Sequence, residues 1–244
     1  MVSDDTRGLR SGFEGDRRIR PAQFFQLDVG LPQRNFIHIW LPEGVSCGGQ
    51  SLFFVPGGEA SGVWEAGPQG EVTCRRDLGR GLSMESTVAE TDLGVYLTIR
   101  LTNDSPETLQ GVSAPACVQL PAAPDLRDLE LERTYWRCQG AWRRFEVTSR
   151  PQEGRCLFYS HGEPADLPLV AVASGTGPYA AGLIFQGATS VGGNCQGALG
   201  CLHSNVPGSD IAPGDTLERR GFLILHPEGL DGVLEAAEEF HGRG

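Results

Sequence analysis

Lysine is missing from this chain of 244 residues, and all 20 of its Lys+Arg positions are arginine. That absence excludes every chemistry that needs a primary amine side chain: a Schiff-base lysine, a pyridoxal phosphate anchor, a Ser-Lys dyad, a P-loop lysine and a kinase-type lysine. Basic charge as a whole is scarce, at 20 positions against 31 Asp+Glu, for a formal net charge of -11. Such a balance opposes binding to a polyanion, so nucleic acid is not an expected partner. The doublets Arg75-Arg76, Arg143-Arg144 and Arg219-Arg220 read as solvated strand ends or carboxylate partners.

Long apolar runs are also lacking. None approaches the ~18 residues of a membrane-spanning helix, so no membrane partner is expected. No N-terminal apolar segment of the secretory kind is present, and the expected location is cytoplasmic. An odd number of cysteines, at 47, 74, 117, 138, 156, 195 and 201, cannot all pair within one chain. Cys117 and Cys156 lie in apolar stretches and read as small core residues. Dinucleotide and P-loop fingerprints are missing as well.

What the chain has in quantity is glycine (34) and proline (16), set between short runs rich in Val, Ile, Leu and Phe. Strands and turns are favoured over helices, and the expected class is all-β, an antiparallel β-sandwich of about twelve or more strands. Residues 1–20 are polar and read as a flexible N-terminal arm, leaving 21–244 as one β-sandwich domain. Leu93 to Asn103 alternates cleanly, with Val95, Leu97, Ile99 and Leu101 on one face, as a half-buried antiparallel strand does. Asn35 to Trp40 places Phe36, His38 and Trp40 on one face. Thr134–Cys138 and Ala141–Val147 form a hairpin around a Gln-Gly turn. Leu230, Val233, Leu234, Ala237 and Phe240 have helical spacing, predicting a short C-terminal helix near 230–241.

Leu101-Thr-Asn-Asp-Ser, Leu109-Gln-Gly-Val, Ile211-Ala-Pro-Gly-Asp-Thr-Leu-Glu-Arg-Arg and the final acidic helix together resemble bacterial β-sandwich domains of the galactose-mutarotase-like, carbohydrate-associated type. Leu131-Glu-Arg-Thr-Tyr135 and Gly200-Cys-Leu-His-Ser-Asn205 are similar to phrases in such proteins. The resemblance spans most of residues 35–240. It implies a supersandwich or jelly-roll architecture and a link to carbohydrate, and it carries over no catalytic residue.

The most unusual stretch runs from Gly192 to Asp210. Between apolar runs it sets two Cys, one His, two Asn and one Asp among glycines, and it reads as a long functional loop. Asn194, Asn205 and Asp210 could present directional donors and acceptors to sugar hydroxyls, while Tyr135 and Trp136 could cover the apolar face of a ring. The same polar residues could instead close Asx-turns. Glu132, His161 and His203 are the candidate acid–base groups for a hydrolase, lyase or epimerase acting on that ligand. No cofactor and no metal are expected. Cys195, Cys201 and His203, with His38 or His161, offer a zinc set as the alternative use, and a cysteine pair bracing the loop is another. The favoured function is binding, with processing, of a saccharide or other polar small molecule. The alternative is a noncatalytic structural or self-associating domain, with a second copy of the chain as partner.

Overall fold

The computed structural model describes residues 7–10, 24–29, 35–54, 64–145, 157–160, 166–195 and 200–243. His161 and Cys156, both singled out above, lie outside these residues. The described residues form two large antiparallel sheets, two small two-stranded sheets and one helix.

The first large sheet has seven strands in the order β1 (Arg7–Arg10), β2 (Phe24–Val29), β3 (Phe36–Trp40), β11 (Cys117–Gln119), β18 (Cys201–Asn205), β17 (Ser190–Asn194) and β14 (Leu157–Tyr159). Part of the expected N-terminal arm is thus an edge strand, since Arg7–Arg10 pairs with Gln26–Val29. The second sheet has nine strands: β13 (Ala141–Arg144), β12 (Thr134–Cys138), β15 (Leu169–Ala173), β16 (Ala180–Phe185), β20 (Thr216–His226), β9 (Gly94–Asn103), β8 (Leu82–Thr91), β7 (Val72–Asp77) and β6 (Trp64–Ala66). The small sheets pair β4 (Gly44–Cys47) with β5 (Gln50–Phe54), and β10 (Leu109–Val112) with β19 (Ser209–Ile211).

Alternation decides which side chains meet between the two large sheets. Val95, Leu97, Ile99 and Leu101 are fully buried there, facing Ile37, Ile39, Val118, Leu202 and Val191 from the seven-stranded sheet. Successive strand residues point to opposite faces. Phe36, His38 and Trp40 therefore lie on the outer face of that sheet, together with Cys117, Gln119, Cys201, His203 and Asn205.

The nine-stranded sheet is buried on both faces over β15, β16 and part of β20, because α1 (Gly229–Gly242) lies across its outer side. Val233, Ala237 and Phe240 pack on Leu169, Ala171, Ile184, Phe222 and Ile224, and the rings of Phe222 and Phe240 are 5.7 Å apart. Gly182 makes this close approach possible, because a Cβ at that position would overlap Val233 Cγ1.

Two polar ties hold the sheets in register. Ser204 Oγ donates to the Pro168 carbonyl and accepts from the Phe185 N–H, each at 2.9 Å. Asp125, in the connection that follows β11, accepts from Asn35 Nδ2 and from the Tyr179 hydroxyl, both at 2.8 Å.

The stretch from Gly192 to Asp210 departs from the expected long loop. It contains the end of β17 and all of β18, paired from Ser190↔Asn205 to Asn194↔Cys201, and then β19. Gly192 and Gly193 are buried strand residues. With no side chains they show no period-two pattern, and so they read as loop in the sequence.

Candidate functional site

The outer face of the seven-stranded sheet carries the chemistry. Register sets Cys201 beside Asn194 on one side and Gln119 on the other, and sets Gln119 beside His38. His203 is opposite Gly192, which has no side chain to crowd the imidazole. One step along the same pairing, Cys117 is level with Trp40 on one side and meets Cys201 and His203 on the other.

Three of these side chains form a compact group. Cys117 Sγ, Cys201 Sγ and a ring nitrogen of His203 all lie within 4.8 Å of one another. Cys201 Sγ is 3.4 Å from His203 Nε2, and Glu43 Oε2 stands 3.8 Å from the same nitrogen. Glu43 is held there by its backbone, whose N–H donates to the Pro115 carbonyl at 2.7 Å, two residues before Cys117. Both thiols are buried, whereas the His203 and Glu43 side chains keep 16% and 21% of their surface exposed. The group is therefore closed at its sulfur end and open at its imidazole and carboxylate end.

The environment drives the acidities apart. A hydrogen bond from the Cys117 thiol pushes Cys201 well below the ordinary thiol range; burial opposes this, and His203 and the Asn194 backbone reinforce it. Burial pushes Cys117 well above that range, with the negative character of Cys201 adding to the effect. Burial alone would lower His203, but the Cys201 sulfur and the Glu43 carboxylate outweigh it and raise the imidazole overall. Burial lowers His38. A negative Cys201 sulfur and a positive His203 imidazole thus favour each other, and burial favours the neutral form of His38.

Several residues singled out from the sequence gather here and several do not. His203, Asn194 and Asn205 are on or beside this face, with Asn205 Nδ2 donating to Ser190 Oγ at 3.4 Å. Tyr135 and Trp136 belong to β12 in the other large sheet: Tyr135 meets Trp142, and Trp136 is buried against Phe145 in the apolar core. Glu132 is exposed on the connection before β12, which is fastened by Arg133 donating to the carbonyls of Asp125, Arg127 and Ala173. Asp210 lies in β19 and accepts from the Gly111 N–H at 2.8 Å. Neither the zinc set weighed as the alternative, with Cys195 as a ligand, nor a Cys195–Cys201 pair is formed, because Cys195 is disulfide-bonded while Cys201 is a free thiol. Cys117 takes the place expected of Cys195. It is buried, as its apolar neighbours predict, but on the outer side of the sheet, away from the apolar core.

Gly44-Val45-Ser46-Cys47-Gly48 has the Gly-x-Ser-x-Gly spelling of a nucleophile elbow. It forms β4 and the start of its hairpin turn, with Ser46 exchanging backbone hydrogen bonds with Ser113, and no helix follows. The strand-to-helix turn that exposes a catalytic serine is not built there.

Comparisons with known proteins bear on the architecture. No family model and no curated protein sequence matches the chain. Among solved structures, a galactose mutarotase related enzyme from Lactobacillus acidophilus superposes with a TM-score of 0.55 at 10% identity, over 85% of this chain and 92% of that one. The Slr1438 protein from Synechocystis superposes with a TM-score of 0.53 at 8% identity, over 84% of this chain and 88% of that one. The fold is the galactose mutarotase-like β-sandwich. At such identities the likeness concerns the fold, and no residue role passes with it.

Proposed function

We propose that the protein binds a saccharide across the outer face of its seven-stranded sheet. The observation that carries this reading is the composition of that face. Trp40 offers a half-buried ring, and His38, His203 and Asn205, partly exposed on the same face, add directional donors and acceptors. Sugar recognition needs this mixture of an apolar plane and polar groups. The printed name of the Lactobacillus acidophilus neighbour, a galactose mutarotase related enzyme, supports the link to carbohydrate. Burial favours the neutral form of the His38 imidazole, the form that can accept a proton from a ligand hydroxyl.

The test is a thermal-shift screen of monosaccharides and oligosaccharides, repeated on His38→Ala and Trp40→Leu. A specific ligand at a hundred times its Kd stabilises the folded state by about 2.7 kcal/mol. Both variants are expected to lose that shift while still melting cooperatively without ligand. Polarimetry on any sugar that binds then reads whether its anomers interconvert faster with the protein. If no saccharide shifts the melting temperature, or if both variants keep the shift, the reading fails.

A further inference from the structure

We propose that Cys117, Cys201 and His203 bind a zinc ion, with Glu43 as the fourth ligand. In a tetrahedral zinc site, Zn–S is about 2.3 Å and Zn–N about 2.0–2.1 Å, which puts a sulfur and a nitrogen ligand about 3.6 Å apart and two sulfurs about 3.8 Å apart. Cys201 Sγ and His203 Nε2 are 3.4 Å apart, and all three ligand atoms fall within 4.8 Å of one another. A carboxylate oxygen on the same ion would stand about 3.4 Å from the imidazole nitrogen. Glu43 Oε2 is at 3.8 Å and reaches that place by a side-chain adjustment of a few tenths of an ångström.

The donor set is the one zinc takes. Two sulfurs and an imidazole select a borderline-soft ion over magnesium or calcium, which prefer oxygen shells. The ligands rest on backbone that is already fixed: Cys201 and His203 alternate along one strand, Cys117 sits in the strand next to it, and Glu43 is tied to Pro115. Entry is from the exposed imidazole and carboxylate edge. The ion binds two thiolates and a neutral imidazole, so any proton still on those groups is released to solvent and affinity rises with pH.

This inference shares His203 with the face proposed for saccharide, but its test is read with no sugar present, and the saccharide test is read on His38 and Trp40. It uses His203 as a ligand and leaves His38 as the proton acceptor on the face. Its failure would leave the saccharide screen unaffected, and a failed screen would leave the ion in place.

The experiment titrates the chelated, reduced full chain with cobalt(II) and then zinc(II), with no sugar present. One equivalent of cobalt is expected to give a thiolate-to-metal charge-transfer band and the intense visible bands of tetrahedral coordination, and zinc should displace it stoichiometrically. Cys117→Ser and Cys201→Ser should each remove about half of the charge-transfer intensity, whereas Cys47→Ser should remove none. Glu43→Gln should keep that band, alter the visible ones and weaken binding by about tenfold. X-ray absorption of the zinc-loaded wild type needs no variant, and is expected to show two sulfur and two nitrogen or oxygen neighbours. Binding well below one equivalent, absorption data without sulfur neighbours, or a charge-transfer band that keeps its full intensity in both serine variants would each overturn the proposal.

Discussion

The outer face of the seven-stranded sheet and the part of the nine-stranded sheet's outer face that α1 leaves open, over β7, β8, β9 and the start of β20, are both polar, and they are built on opposite principles. On the nine-stranded sheet charges pair with one another: Arg75 Nε meets Glu85 at 2.7 Å and Arg100 Nε meets Glu218 at 2.6 Å across strands, and Arg220, on the same strand as Glu218, closes on that carboxylate too. The hydroxyls pair as well, Thr73 with Thr87 at 3.1 Å and Thr102 with Thr216 at 2.9 Å. On the seven-stranded sheet, groups of unlike chemistry converge from residues 43, 117, 201 and 203 and move one another's acidities. A groove of about 930 Å³ lies over the paired face. Two of the charge pairs that line it, Arg75–Glu85 and Arg100–Glu218, already satisfy each other. The large shifts in acidity follow unlike neighbours that converge from distant segments, whereas like-built cross-strand pairs compensate each other.

The comparison requires that the two sheets stay fixed relative to each other, and the largest expected effect comes from breaking that tie. Asp125→Ala removes the acceptor for Asn35 and Tyr179 and leaves a buried amide without its charged partner. A loss of about 2–3 kcal/mol is expected, read as the shift in urea midpoint. Burial would raise the Asp125 carboxyl, but the hydrogen bonds from Asn35, Tyr179 and Thr176, with the charge of Arg133, hold it below its ordinary value. As pH falls, the unfolded chain takes up this proton first. The stabilisation is therefore complete above the ordinary carboxylate value of about 3.9 and disappears as pH drops through the lower folded value. The variant should lack that part of the acid limb. If its acid limb overlays that of the wild type, Asp125 is not a tie between the sheets.

A second substitution acts on the nine-stranded sheet alone. Gly182→Ala drives a methyl group into Val233 and towards Leu169, and overpacking of that kind costs about 1–3 kcal/mol. The expected result is a lower melting temperature with unchanged cobalt spectra, since α1 is pushed away while the thiol–imidazole group is untouched. Altered cobalt bands in Gly182→Ala would show that the two outer faces are coupled through the core.

The sequence makes one kind of information visible and hides another. β9 is legible because Val95, Leu97, Ile99 and Leu101 alternate with polar residues, and all four are fully buried. The C-terminal helix is legible for the same local reason, through Val233, Ala237 and Phe240. The pairing of Cys117 with Cys201 and His203 is not local. It depends on Val118 lying opposite Leu202, a register set by the whole sheet, and nothing around Cys117 distinguishes a core thiol from one on the outer face. Glu43 is hidden likewise, since the bond from its N–H to Pro115 joins distant segments. His203 and Asn194 stand out by composition, although the glycines beside them disguise strands as loop. Tyr135 and Trp136 look similar in type to sugar-stacking residues, but which sheet receives β12 is a topological fact that the local pattern does not contain.

The smallest expected effect tests whether the paired face is as inert as its compensation implies. Glu218→Gln removes the carboxylate that Arg100 and Arg220 share. Both arginines lie more than half exposed, at 53% and 59%, so water takes over most of the lost interaction. Pairs of this kind contribute about 0–1 kcal/mol. We expect a destabilisation of about 0.5 kcal/mol that shrinks further as salt is raised, because exposed charges are screened over about 10 Å at 0.1 M ionic strength. Saccharide shifts and cobalt spectra should be those of the wild type. The informative failure is a large one: if Glu218→Gln abolished a ligand-induced shift that His38→Ala left intact, binding would belong to the groove over the charge ladder, and the seven-stranded face would be left with the metal alone.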